Sequence, residues 1–179
     1  MLVKVCFTQS QIDKILKEIV VLVDTREQEN KHILDYFDKK GIKYKVKKLE
    51  FGDYSAMICK NEELGILQDI SFEDNFVIEK KNSLEEISGN LTNDRTRIEN
   101  EFIRAKQRNC NIHLLIENSS YNDIYHHNYR TNFNEKAFCN SLLSMINKFN
   151  IKLHFIEKEN TAIHMLRIMQ IEIKNMFKE

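Results

Sequence analysis

The 179-residue sequence contains no proline and only four glycines. Flexible linkers announce themselves through runs of Gly, Pro or Ser, and no such run is visible. With no internal repeat either, the chain reads as one domain with short connections. Cysteine is sparse. Cys6, Cys59, Cys110 and Cys139 lie far apart with no CxxC pair, which argues against a zinc site and a disulfide framework. Reduced, mostly buried thiols of a cytoplasmic protein are the expectation. No apolar run approaches the roughly 20 residues of a membrane span, and no signal peptide stands at the start, so no membrane partner is expected. Excess charge is missing too: 27 basic residues balance 27 acidic ones. That argues against a general polyanion-coating role but allows a local basic face beside an acidic site.

What is present is a core and an alternating pattern. The 42% hydrophobic content suffices to fill an interior. A helix is expected over "QIDKILKEI", capped by Ser10, followed by the buried strand "IVVLVD". A helix over "ENKHILDYFDKK" carries Ile33, Leu34 and Phe37 on one face and stops at Gly41. "IKYKVKKL" alternates like a half-solvated strand, and "YSAMIC" resumes after Gly52 and Asp53, so these two read as a hairpin. Lys60 to Asp74 reads as a loop or a short extra strand. "FVIEKK" is the next strand, and Ser83 with Glu86 matches a capping box for a short helix. A longer helix over residues 93–108 turns Ile98, Phe102 and Ala105 inward. The strand "IHLLIEN", a helix over 134–150, the strand "KLHFIE" and a helix from Thr161 complete the chain. The fold class is α/β, with a mixed central sheet flanked by helices.

Chemistry concentrates at the strand ends. Side chains two apart on a strand point the same way, so Glu79 and Lys81 face together while Lys80 points across the sheet. Asp53 follows a glycine at the start of a strand, Asp24 ends another, and Glu27 comes soon after. Four acids brought together repel one another unless a positive charge sits among them. A hard divalent cation such as Mg²⁺ meets that need through oxygen ligands. Carboxylates, a lysine and a metal together suit attack of water on a phosphodiester. An ordinary surface ion pair between Glu79 and Lys81 is the plainer alternative.

Three stretches in order, "VDTRE" (23–27), "GDY" (52–54) and "IEKKNSLEE" (78–86), resemble the nuclease domain of XPF-type structure-specific endonucleases. These belong to the PD-(D/E)xK, restriction-endonuclease-like superfamily. The resemblance covers about 20–157, leaving helical extensions at both ends, and is strongest to compact stand-alone versions from bacteria and their phages. Lys80 stands where the family has arginine, and Glu85 where it has a closing aspartate. The resemblance implies a restriction-endonuclease-like fold and Mg²⁺- or Mn²⁺-dependent cleavage of branched or flapped DNA in repair, recombination or phage replication, in a bacterial or phage-infected cell. It implies Asp24, Asp53, Glu79 and Lys81 as catalytic residues. Asp24, Glu27, Asp53, Glu79 and the Lys80 carbonyl are implied at the metal. Arg26, Lys80, Glu85, Arg95 and Arg97 become supporting or DNA-contacting residues, and pairing of nuclease domains implies a homodimer. A catalytically inactive DNA-binding scaffold subunit is the competing reading.

Other basic residues divide between phosphate contact and an ordinary solvated exterior. They are Lys39, Lys40, Lys43, Lys45, Lys47 and Lys48, and on the long helix Arg97, Arg104 and Arg108, with Glu99 and Glu101 interleaved. The segment from Tyr121 to Phe133 mixes aromatics with His126, His127 and Arg130. It reads as a loop packed on the core or stacking on exposed bases.

Overall fold

A computed structural model describes residues 7–178, so Cys6 lies outside the described residues. Helix α1 (Gln9–Ile15) opens the chain. Its cap is Thr8 and not Ser10: Thr8 and Gln11 bond each other's backbone reciprocally, satisfying two otherwise orphaned helix donors. Strand β1 (Ile19–Val23) is buried throughout. Helix α2 (Lys31–Lys40) buries Ile33 and Phe37 and ends at Gly41, whose φ of 65° supplies the left-handed turn.

Strand β2 (Tyr44–Val46) pairs with β1 in parallel. Strand β3 (Tyr54–Ile58) pairs with the other side of β1, antiparallel. The expected hairpin between β2 and β3 is therefore absent: β1 lies between them. The β2–β3 connection wraps past the end of β1, where Asp24 takes hold of it. Residues 60–74 hold a single 3₁₀ turn and the two-residue strand β4 (Ile70–Ser71), which pairs with β3.

Strand β5 (Phe76–Lys81) is buried at all six positions. Helix α3 (Leu84–Thr92) begins after Ser83, whose side chain makes no cap bond. Glu86 instead accepts from the backbone and amide of Asn82. Helix α4 (Arg95–Gln107) turns Ile98, Glu101, Phe102 and Ala105 inward. Strand β6 (Asn111–Glu117) lies parallel to β5. The stretch expected as a loop begins with helix α5 (Tyr121–Tyr125). Tyr129 and Ile124 are buried on the core, while Tyr125 is 60% exposed. Helix α6 (Glu135–Phe149) carries its stripe of Phe138, Leu142, Met145 and Phe149 inward. Strand β7 (Lys152–Ile156) pairs parallel to β6, and α7 (Thr161–Met176) closes the fold.

The sheet runs β2-β1-β3-β5-β6-β7, with β4 beside β3. Strand parity divides the interior into two cores. Val77, Leu114 and Ile116 pack one face with residues of α3, α4 and α6. Val21, Val23, Ile78 and Leu115 pack the other with residues of α2 and α7. Cys110 and Cys139 are buried, whereas Cys59 is exposed. Among the described residues no helix is long and apolar enough to cross a membrane.

A polar line joins β6, β7 and α7. Glu172 accepts from Asn111 and Lys152 and bonds His113 Nε2 at 2.9 Å. His113 Nδ1 lies 3.0 Å from His154 Nε2, and His154 Nδ1 lies 3.1 Å from His164 Nε2.

Candidate active site

All the implied carboxylates gather at one end of the sheet, where β1 and β5 finish and β3 begins. The backbone builds this junction. Asp24 N donates to Asp53 O at 2.7 Å, and Asp53 N donates to Ile78 O at 2.9 Å. Gly52 precedes Asp53 with a φ of 70°, and a Cβ there would come 2.7 Å from Val77 Cβ. Only glycine gives both the turn and the close approach.

Parity then sorts the side chains. Glu79 and Lys81 share one face, with Lys81 Nζ 2.6 Å from Glu79 Oε1 and 3.4 Å from Glu86 Oε1. Both members of the first pair have side chains only 7% exposed. Burial opposes the Lys81 charge, but Glu79, Asp53 and Glu86 outweigh it and hold its pKa well above the ordinary lysine value. In this arrangement the neighbouring carboxylates favour the ammonium form of Lys81. Glu86 is likewise lowered against the effect of burial, by Lys81 and by the Asn82 bonds.

Asp53 is raised well above the usual carboxylate range, first by burial and then by the charge of Glu79. Its Oδ2 accepts from the Lys80 backbone N–H at 2.8 Å. Glu79 Oε2 and Glu27 Oε1 are buried without a hydrogen-bond partner. Burial also raises Glu27, against the pull of Lys80. An orphaned oxygen on Glu79 and one on Glu27 held only by a 3.5 Å contact to Lys80 Nζ, beside mutually repelling acids, are an incomplete set of hard donors, and this chemistry fits Mg²⁺ or Mn²⁺. Among the described residues, no three His, Cys, Asp and Glu side chains converge into a ready-made cation cage. The Lys81 ammonium faces Glu79, and the Lys80 ammonium faces Glu27 from the other side of the strand.

Asp24 is placed differently from the others. Its Oδ1 accepts from the backbone and Nε of Arg26, and its Oδ2 from Arg26 Nη2 and the Leu49 N–H. Burial would raise its pKa, but these bonds leave it lowered. Every lone-pair direction is engaged by a structural donor, so Asp24 braces the β1 end and the β2–β3 connection. Its partner Arg26 remains 55% exposed and offers the cation nearest solvent.

Lys80 needs a correction as a DNA contact. Its side chain is fully buried on the opposite face, donating to Glu29 O at 3.3 Å and Asn82 Oδ1 at 2.7 Å, with Glu27 Oε1 at 3.5 Å. No phosphate reaches it there, and it serves as an anchor for the loop after β1. Glu85 also points away from Lys81 and accepts from the Arg130 backbone N–H; Glu86 is the acid that meets the lysine. Arg95 is held by Glu99 at 2.7 Å, while Arg97 is exposed. Arg108 is engaged by Glu50 and Asp74.

The charge of Glu101 suits the helix exterior, yet its side chain faces the cluster. Its Oε1 accepts from the Gly52 N–H at 3.0 Å. The signal for it lay in its spacing, three residues after Ile98 and four before Ala105.

A comparison with curated protein sequences returns no significant match. Among solved structures, XPF from Aeropyrum pernix aligns with a TM-score of 0.60 at 16% identity, over 85% of this chain and 60% of that one. The same protein in complex with DNA aligns with a TM-score of 0.59 at 17% identity, over 87% of this chain and 66% of that one. The likeness establishes a shared fold, and the chain spans under two thirds of those structures. The model of the ERCC4 domain matches residues 23–169. That span runs from the last residue of β1 into α7 and contains every strand end just described; the chain belongs to the ERCC4 domain family.

Proposed function

We propose that this chain is a Mg²⁺- or Mn²⁺-dependent endodeoxyribonuclease that hydrolyses phosphodiester bonds at branched or flapped DNA. Its setting is repair, recombination or phage replication in a bacterial or phage-infected cell. One observation carries the reading: Glu79 turns one oxygen to a buried lysine and leaves the other buried without a partner, beside the repelling Asp53. An unpaired buried carboxylate oxygen is costly, and sites that tolerate such a cost are commonly functional.

Asp53, Glu79 and Glu27 would hold the cation. When bound, the ion supplies Lewis acidity and acidifies a water. The residues themselves do the rest. The Lys80 N–H fixes the Asp53 carboxylate. Glu86 steadies the Lys81 ammonium, which stabilises negative charge developing on the phosphate. Asp24 locks the Arg26 guanidinium, whose exposed side is free to orient a phosphate.

The test is a cleavage panel of flap, fork, four-way junction and linear duplex, with Mg²⁺, Mn²⁺ or a chelator. Metal-dependent cutting of branched substrates, lost in Lys81→Ala, is the expected result. Equal cutting by wild type and Lys81→Ala removes the mechanism. Tight junction binding without cutting in either metal favours the inactive scaffold reading, for which the closed Glu79–Lys81 pair is the supporting observation.

A further inference from the structure

Glu101 is a buried acid beside the cluster that the mechanism above leaves unused. It comes from α4, and its Oε1 accepts from the backbone N–H of Gly52. Gly52 is wedged against Val77 and immediately precedes Asp53. The next two anchors of this turn, Asp53 N to Ile78 O and Asp24 N to Asp53 O, both run along the sheet. The Glu101 bond comes from outside the sheet and clamps the turn from the helix layer. Ile98, Phe102 and Ala105 bury the same helix face, so the clamp is held by core packing. Without an acceptor there, a buried backbone donor one residue from Asp53 loses its partner.

We infer that Glu101 is a positioning residue that fixes the Gly52–Asp53 turn so that the Asp53 carboxylate stands ready for a divalent cation. This inference rests on the nuclease reading for its purpose, but not for its geometry. The acceptor oxygen is what matters, so glutamine should substitute and an apolar side chain of similar volume should not.

The experiment compares wild type, Glu101→Gln and Glu101→Met, and uses two readouts without DNA. Amide hydrogen exchange reports on the Gly52 N–H, and Mn²⁺ titration followed by electron paramagnetic resonance reports on the cation. In Glu101→Met the Gly52 amide should exchange about tenfold faster and Mn²⁺ should bind about tenfold more weakly, the scale of one lost buried hydrogen bond. Glu101→Gln should recover slow exchange and most of the Mn²⁺ affinity. Slow Gly52 exchange in Glu101→Met overturns the inference. So does equal loss of Mn²⁺ affinity in Gln and Met variants, since charge and not the acceptor would then be responsible. A wild type that cuts no substrate would sink the nuclease reading alone, and Gly52 exchange would still decide the role of Glu101.

Discussion

The Asp53 carboxylate takes its hydrogen bond from the backbone N–H of Lys80, with Oδ2 2.8 Å from the nitrogen. An acid from the start of β3 is thus held by the end of β5, beside Glu79, whose charge raises its pKa. The arrangement keeps two like charges close, with the Lys81 ammonium bonded to Glu79 and not to Asp53, and such electrostatic strain is stored where chemistry needs it.

Asp53→Asn keeps an acceptor for the Lys80 N–H and removes the repelled charge. In metal-free buffer at pH 7 its melting temperature should rise by about 2–4 °C, roughly 1 kcal/mol for a chain of this size. Cleavage should be abolished. Thermal unfolding followed by circular dichroism checks the first statement; an unchanged or lowered midpoint contradicts it.

Gly52→Ala should cost about 2–4 kcal/mol, because the new methyl meets Val77 Cβ at 2.7 Å in a turn that disfavours L side chains. Gly41→Ala, with open space around its Cβ, should cost only about 1 kcal/mol from its positive φ. Urea denaturation of the two variants side by side reads the difference, and equal losses would show that the Val77 contact is not the cause.

Arg26→Lys should lose most of the bracing of Asp24. Lysine has no planar fork, so it cannot reproduce bonds from Nε and Nη2 to the two carboxylate oxygens. A loss of about 1–2 kcal/mol is expected from one charge-assisted pair that is half-exposed on the arginine side. Asp24→Asn should lose more, since it also weakens the bond to the Leu49 N–H. A reversed order in chemical denaturation would refute the bracing role.

His154 gives the fold an acid-sensitive seam. Burial, then the positive charges of His113, His164 and Lys152, lower its pKa from 6.5 to about 4. The unfolded chain therefore binds this proton below about pH 6.5, and the folded chain only below about pH 4. Between those values the unfolded state holds more protons, so stability falls as pH falls. His154→Phe keeps an aromatic ring beside His113 and removes the titration. The gap in unfolding free energy between wild type and variant should shift in the variant's favour from pH 6.5 to 4, and then level off. Parallel curves across that range would contradict the assignment.

Periodicity made much of this molecule legible. "IVVLVD" and "FVIEKK" announced β1 and β5 because short apolar stretches rich in Val and Ile suit buried strands. The inward stripes of α2, α4 and α6 followed from spacing. The expected hairpin is missing because adjacency in sequence is not adjacency in the sheet, and no local residue reports that β1 enters between β2 and β3. At the site, alternation correctly separated Lys80 from Lys81. It did not disclose that Lys80 ends in a closed pocket, since burial of an ammonium depends on carbonyls and amides brought from Glu29 and Asn82. Choosing between Glu85 and Glu86 required the rotational phase of α3, which a capping pattern does not set. Glu101 was hidden by its charge, although its stripe position already placed it inside.

Strand β5 spans six residues and uses odd positions for one face and even positions for the other. A single inserted or deleted residue just before Glu79 would therefore exchange the two roles. The consecutive lysines would disguise the damage, for an ammonium would still occupy each side, while the carboxylate would emerge beneath α2 and α7. Length changes at this strand are tolerable only in pairs.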